Sequence, residues 1–150
     1  MNVHSLNAYL DFLAAMPQHH ACADSLYGPM KLAAHQDLVA LFSEHGPQQA
    51  SVQDIGEIAL PYFRMGNIDS VNLFDIDELI IFAFYRKNAK RYRRALDIGA
   101  NIGLHSIVMG KLGMSVTSYE PDPVHFDRFI GNIESNLHLI NFGIYGFCLL

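Results

Sequence analysis

The sequence has little of what would mark a secreted, membrane-spanning or nucleic-acid-binding protein. It holds two cysteines, Cys22 and Cys148, far apart in 150 residues. So sparse a pair does not make the disulfide framework of a small secreted domain, and a reduced cytoplasmic setting is the simpler reading. Only six prolines and eleven glycines, against 51% hydrophobic residues, exclude a disordered or low-complexity chain. Charge is scarce at 17%, and the net charge is -5, so no global basic field exists to recruit nucleic acid. Residues 1–20 lack a basic leading region, and Asp11 interrupts their apolar stretch, which excludes a signal-peptide pattern. Long apolar runs are missing too. The runs 79–85 and 137–150 are both shorter than a bilayer-spanning helix, and Asn141, Gly143 and Gly146 interrupt the second. The expectation is a soluble chain with no membrane contact, long enough to bury a core without disulfides or metals.

The spacing of apolar residues predicts a helix over 3–16, with Val3, Leu6, Leu10 and Leu13 on one face and Pro17 as its stop. A loop over 18–28 leads to a second helix over 29–45, carrying Ala34, Leu38, Leu41 and Phe42 on one side. Gly46-Pro47 ends it. Residues 57–63 and 70–74 read as two strands with Gly66-Asn67 in the turn, and Pro61 confines the first to an edge. Asp75 and Glu78 have capping-box spacing. Ile76, Leu79, Ile80, Ala83 and Phe84 then carry a helix to about Asn88.

The remainder alternates strand and helix. A strand over 95–98 precedes a helix over 103–112, which Gly113 stops. A strand over 115–119 follows. Asp122-Pro123 caps a helix that buries Phe126, Phe129, Ile130, Ile133 and Leu137, and a third strand starts near Leu139. The fold class is therefore α/β: an incomplete Rossmann-like parallel sheet, the first βαβαβ half, behind a helical and β-hairpin N-terminal segment. Residues 1–90 form that extension and 91–150 the α/β part.

The chemistry concentrates in 97–103, Asp-Ile-Gly-Ala-Asn-Ile-Gly, between a strand and a helix. Ligands of open α/β sheets bind there, at the carboxyl ends of the strands. Gly99 permits a sharp turn, Asn101 tolerates a left-handed backbone, and Gly103 lets the helix start close to its neighbours. The helix N-terminus beyond offers free N–H groups to a carboxylate or phosphate. Glu120 ends the next strand, 23 positions after Asp97, where an acid can accept from both hydroxyls of a ribose. A dinucleotide fingerprint wants glycine in place of Asn101 and again at Leu104, and has neither. The spacing suits a ligand without a pyrophosphate. The methionine part of S-adenosylmethionine is one, with Asp97 toward its ammonium and backbone N–H groups toward its carboxylate.

With Ala95-Leu-Asp-Ile-Gly-Ala-Asn-Ile-Gly-Leu-His-Ser106, Lys111-Leu-Gly113, Tyr119-Glu-Pro-Asp-Pro123 and Asn132-Ile-Glu-Ser-Asn136, the chain resembles the FkbM-type S-adenosylmethionine-dependent methyltransferases. The resemblance implies a class I, Rossmann-like fold. It implies a cofactor loop of Asp97, Gly99, Ala100, Asn101 and Gly103, with Glu120 at the ribose, and O-methylation of a small hydroxylated metabolite or sugar. It covers residues 94–137 closely and the upstream region loosely. A complete member continues through four more strands, so the expectation is a truncated enzyme. The alternatives are an inactive cofactor-binding remnant or a fragment that a second chain completes. An unpaired edge on the strand 95–98 is expected unless the N-terminal strands cover it.

Blander readings apply elsewhere. His105 is expected to be packed or solvent-facing. His19, His20 and Cys22 have no second ligand cluster, so no metal is expected. No general base can be assigned. Six of the ten basic residues, Arg86, Lys87, Lys90, Arg91, Arg93 and Arg94, fall close together. They read as a solvated helix end suited to the macrodipole, in preference to a contact with a phosphorylated substrate. Phe82, Phe84 and Tyr85 are expected in the core.

Overall fold

The computed structural model describes residues 4–136 and 142–146. Helix α1 spans His4–Ala15 and buries Leu6, Leu10 and Leu13 on one stripe; Val3 lies outside the described residues. Pro17 opens a single 3-10 turn, Pro17–His19. Helix α2 runs Tyr27–Phe42, earlier at both ends than its periodicity suggested. Pro29 sits in its first turn, where the missing N–H has no intrahelical carbonyl to meet, so the helix can begin ahead of it. At the other end Gly46 passes so close to Leu41 that an added Cβ would lie 2.6 Å from its carbonyl oxygen.

The middle of the chain departs from expectation. Strands β1 (Gln49–Val52) and β2 (Gly56–Ala59) form an antiparallel hairpin, in register Ala50 opposite Ile58. Its turn uses Asp54 at φ 66° and Gly56 at φ 90°. The Gly66-Asn67 turn is present, but it joins strands of two residues each, β3 (Arg64–Met65) and β4 (Ile68–Asp69). The expected strand over 70–74 is instead the 3-10 turn Asn72–Phe74. Asp69 explains this: its Oδ1 accepts from the Val71 N–H at 2.9 Å, offering the backbone a local partner in place of a ladder.

Helix α3 (Ile76–Asn88) starts at Asp75, whose Oδ1 accepts from the Ile76 N–H at 2.7 Å. The capping box does not close, because the Glu78 carboxylate lies 2.7 Å from His105 Nε2. Phe82 is buried and Tyr85 half-buried, but Phe84 is exposed, contrary to the core placement expected for it. Phe42 stacks on Phe74 with centroids 4.2 Å apart, and Phe74 meets Phe82 edge-on, which ties α2 to α3.

The last part is a βαβαβ unit: β5 (Arg94–Ile98), α4 (Leu104–Lys111), β6 (Ser115–Glu120), α5 (Pro123–Asn136) and β7 (Phe142–Gly146). All three strands are parallel, in the order β5-β6-β7, with Asp97 beside Ser118 and Tyr119 beside Tyr145. This is the α/β, Rossmann-like half expected. Residue Leu137 and the start of the expected third strand, 139–141, lie outside the described residues. Among the described residues β5 has β6 on one side and no strand on the other; the hairpins keep to their own two-stranded sheets.

Packing joins the two parts. Ile102, Leu104 and Val108 enter the same buried cluster as Leu10, Phe42, Ile58 and Phe82. Asn136 at the end of α5 brackets Ala59 in β2, accepting from its N–H at 3.0 Å and donating to its carbonyl at 2.7 Å. No helix among the described residues is long and apolar enough to cross a membrane.

Candidate functional site

The β5–α4 loop is built from a run of left-handed backbone. Gly99 has φ 76°, Asn101 φ 52° and Gly103 φ 88°. These are the positions singled out by the sequence, and the conformation gives the reason for each: glycine bears no Cβ penalty there, and asparagine bears the smallest one among ordinary residues. The loop is pinned to the neighbouring strand. Gly99 and Ala100 both donate their N–H to the Tyr119 carbonyl, at 2.9 and 3.0 Å.

Gly103 and Gly99 differ in surroundings. A Cβ on Gly103 would lie 2.1 Å from Phe129 Cδ2, so this glycine is the seat for the α5 aromatic. A Cβ on Gly99 would meet nothing within 4 Å, which leaves the tip of the turn open. Ala100 is buried in a small cluster with Ile107, Phe129 and Ile133, so its methyl is packing and its N–H is structural.

Glu120 is 6% exposed and holds the loop. Its Oε2 accepts from the Asn101 N–H at 2.7 Å and its Oε1 from the Asp122 N–H at 2.8 Å. Each carboxylate oxygen retains a second acceptor position. Asp97 sits on the α4 side of the sheet. Its Oδ2 accepts from Ser106 Oγ at 2.5 Å, and Ser106 Oγ is 2.7 Å from Ser118 Oγ. This Asp97–Ser106–Ser118 chain was not anticipated, although the inward alternation of Val116, Ser118 and Glu120 in β6 carries the signal. Asn132 was missed as well; it donates to the Ile102 carbonyl at 2.8 Å and fixes the loop to α5.

The Asn101 side-chain Oδ1 is buried and has no hydrogen-bond partner among the described residues. An orphaned acceptor beside an open glycine turn fits a loop shaped to receive a donor group from outside. The first turn of α4 follows, with N–H groups that have no carbonyl to meet inside the helix.

His105, in that first turn, faces α3 and is packed. Its Nε2 is 2.7 Å from Glu78 Oε2, its Nδ1 is 3.1 Å from the Tyr85 hydroxyl, and Phe82 lies edge-on at 5.1 Å. Burial pushes the Tyr85 phenol above its ordinary value, and the charges of Asp97 and Glu78 add to this. Beyond β6, Asp122 caps α5, accepting from the N–H groups of Val124 and His125 at 2.9 Å each. The His125 bond holds its carboxyl below the usual range; burial opposes this in part, and the Val124 bond and the charge of His125 add to the lowering. Among the described residues no three His, Cys, Asp or Glu side chains gather as a metal site would need.

No protein-family profile and no curated relative matches the sequence. One solved structure, a protein-L-isoaspartate O-methyltransferase, is similar to 56% of this chain at 19% identity, with a TM-score of 0.42. The chain spans 26% of that structure's length. A likeness of that size identifies neither a family nor an activity.

Proposed function

We propose that the chain binds S-adenosylmethionine in the β5–α4 loop and is the cofactor-binding part of a methyltransferase, as the FkbM-type resemblance implies. The observation that carries this reading is the run of positive φ at Gly99, Asn101 and Gly103, set at the carboxyl end of a parallel sheet beside Glu120. In this reading the open turn at Gly99 and the first N–H groups of α4 receive the methionine carboxylate. Asp97, through its second carboxylate oxygen, faces the ammonium. The spare acceptor positions of Glu120 face the ribose hydroxyls. The bound cofactor supplies an electrophilic methyl group on a sulfonium. The chain's own residues hold it in line with a hydroxyl acceptor on a small metabolite or sugar. Residues 91–150 would carry the site and 1–90 would brace it, in a cytoplasmic protein.

A second reading, binding without turnover, is favoured by the open side of β5. There a second chain would complete the sheet. Turnover of a panel of hydroxylated acceptors separates the two readings. The cofactor assignment itself is tested by titrating S-adenosylhomocysteine calorimetrically into the wild type and Gly99→Val. Binding that Gly99→Val abolishes is expected, with NAD unable to compete. Equal affinity in both proteins would sink the loop assignment.

A further inference from the structure

A second concave site lies at the opposite end of the sheet. It is a cleft of about 810 Å³, and its cationic lining is Arg86, Lys87, Lys90, Arg93 and Lys111. The first four come from the end of α3 and the segment leading into β5, and the fifth from the last turn of α4. All of these positions precede the amino ends of β5 or β6. The cleft and the Gly99 turn are therefore separated by the length of a five-residue strand, roughly 15 Å.

The macrodipole accounts for only part of this set. Arg86 and Lys87 occupy the last turn of α3, but Lys90 and Arg93 lie beyond the helix. Lys111 likewise ends α4, so helix ends account for three of the five cations and leave Lys90 and Arg93. Few of the charges are neutralised. Arg86 pairs with Asp11, and Asp54 stands at the rim. Lys87 and Lys111 donate to the carbonyls of Ala14 and Asn136. Lys90 and Arg93 have no ion-pair partner among the described residues. Arg86 Nη1 is buried with no hydrogen-bond partner among the described residues. Burial pushes the Lys111 ammonium down from its ordinary value, the charge of Glu57 offsets this only in part, and a bound anion would relieve the rest. All this sits in a chain of net charge -5, so the positive field is local. Tyr92, a residue 44% exposed, lines the same cleft, its ring 6.5 Å from that of Phe84.

We propose that this cleft binds a nucleoside polyphosphate, with the phosphates among Lys90, Arg93 and Lys111 and the base on the Tyr92 ring. The volume suits a ligand of that size. With Arg86 paired to Asp11 and Asp54 offsetting one more charge, a net of about three positive charges remains of the five, still more than a single phosphate dianion neutralises, which points to a phosphate chain. The cations line one cleft, which favours a nucleotide over an extended nucleic acid. The site is independent of the cofactor loop.

The test is calorimetry at fixed ionic strength, with GTP, tripolyphosphate, inorganic phosphate and a twelve-residue polyuridylate as probes. The proteins are the wild type, the double variant Lys90→Ala/Arg93→Ala, and Tyr92→Ala. These three residues are exposed, so circular dichroism should show all variants folded. GTP is expected to bind the wild type about tenfold more tightly than tripolyphosphate, and Tyr92→Ala to erase that margin. The double variant should lose about tenfold in GTP affinity. Excess S-adenosylhomocysteine should leave GTP binding unchanged. The proposal is overturned if GTP does not bind, if the double variant binds it as the wild type does, or if tripolyphosphate equals GTP. Displacement of GTP by S-adenosylhomocysteine, or tighter binding of polyuridylate than of GTP, overturns it equally.

Discussion

Glu120 and Asn101 meet across the carboxyl end of the sheet, the carboxylate of one accepting the backbone N–H of the other at 2.7 Å. The same carboxylate accepts the Asp122 N–H through its other oxygen. A residue selected from the sequence for a ribose contact is thus also the clamp that fixes both loops leaving β5 and β6.

The clamp predicts a stability effect without any ligand. In Glu120→Gln one amide oxygen can serve only one of the two N–H groups, and the NH₂ is turned against the other. Leaving one buried donor unsatisfied costs about 1–3 kcal/mol. Urea unfolding of the ligand-free protein should show a correspondingly lower midpoint. A midpoint equal to the wild type's would mean that the clamp contributes nothing.

The two loop glycines should respond differently to alanine. Gly99→Ala meets only the cost of a left-handed backbone, about 1 kcal/mol, since nothing lies near the new methyl. Gly103→Ala adds a collision with the Phe129 ring in a packed cluster, which overpacking data put at about 1–3 kcal/mol more. Thermal melts of the two variants give the comparison. A Gly103→Ala protein as stable as Gly99→Ala would show that Phe129 moves aside freely.

The βαβαβ half was legible because its signals are local and agree with one another. Gly113 at φ 88° ends α4, Asp122 caps α5, and period-two burial marks β6. The segment 49–74 was not legible, because its partners are decided elsewhere. Asp69 takes the N–H groups that a strand over 70–74 would need, and the side chain of Asn136 lies 77 positions from the Ala59 it bonds. Within the site, left-handed positions were readable from residue type. The Asp97–Ser106–Ser118 chain was not, since it depends on the register that sets Asp97 beside Ser118.

The α5 cap predicts a pH dependence. The folded-state carboxyl of Asp122 titrates below its ordinary value, so its contribution is present above the unfolded pKa of about 3.9 and is lost as pH falls through the lower folded value. Asp122→Ala should therefore be less stable than the wild type at pH 6, with the gap closing in acid. Asp122→Asn keeps an acceptor and has no proton to take up, so its difference from Asp122→Ala should persist at pH 3. Urea midpoints at the two pH values check this. A wild-type advantage over Asp122→Ala that is the same at both would show that the carboxylate's charge plays no part.

The sheet has one covered face and one open one. Asp97 and Ser118 point toward α4, whereas Leu96 and Ile98 point the other way and are 61% and 77% exposed. Among the described residues no strand pairs with the edge of β5 that runs beside them. Exposed apolar side chains next to an unpaired edge are the combination that templates association. The 150-residue chain is therefore expected to self-associate through this face. The double variant Leu96→Thr/Ile98→Thr places β-branched residues suited to a strand at both positions and removes most of the apolar surface. It should shift the protein toward monomer in size-exclusion chromatography with light scattering, while its urea midpoint stays close to the wild type's, since the replaced side chains are largely in water already. Val116→Thr is the control on the covered face of the same sheet: it puts a hydroxyl into a fully buried site and should destabilise without reducing association. A wild type that elutes as a sharp monomer would mean that the open face is not sticky. Association that persists unchanged in the double variant would move the contact to another surface, with the apolar groove that Phe84 and Ile81 line beside α1 as the next place to substitute.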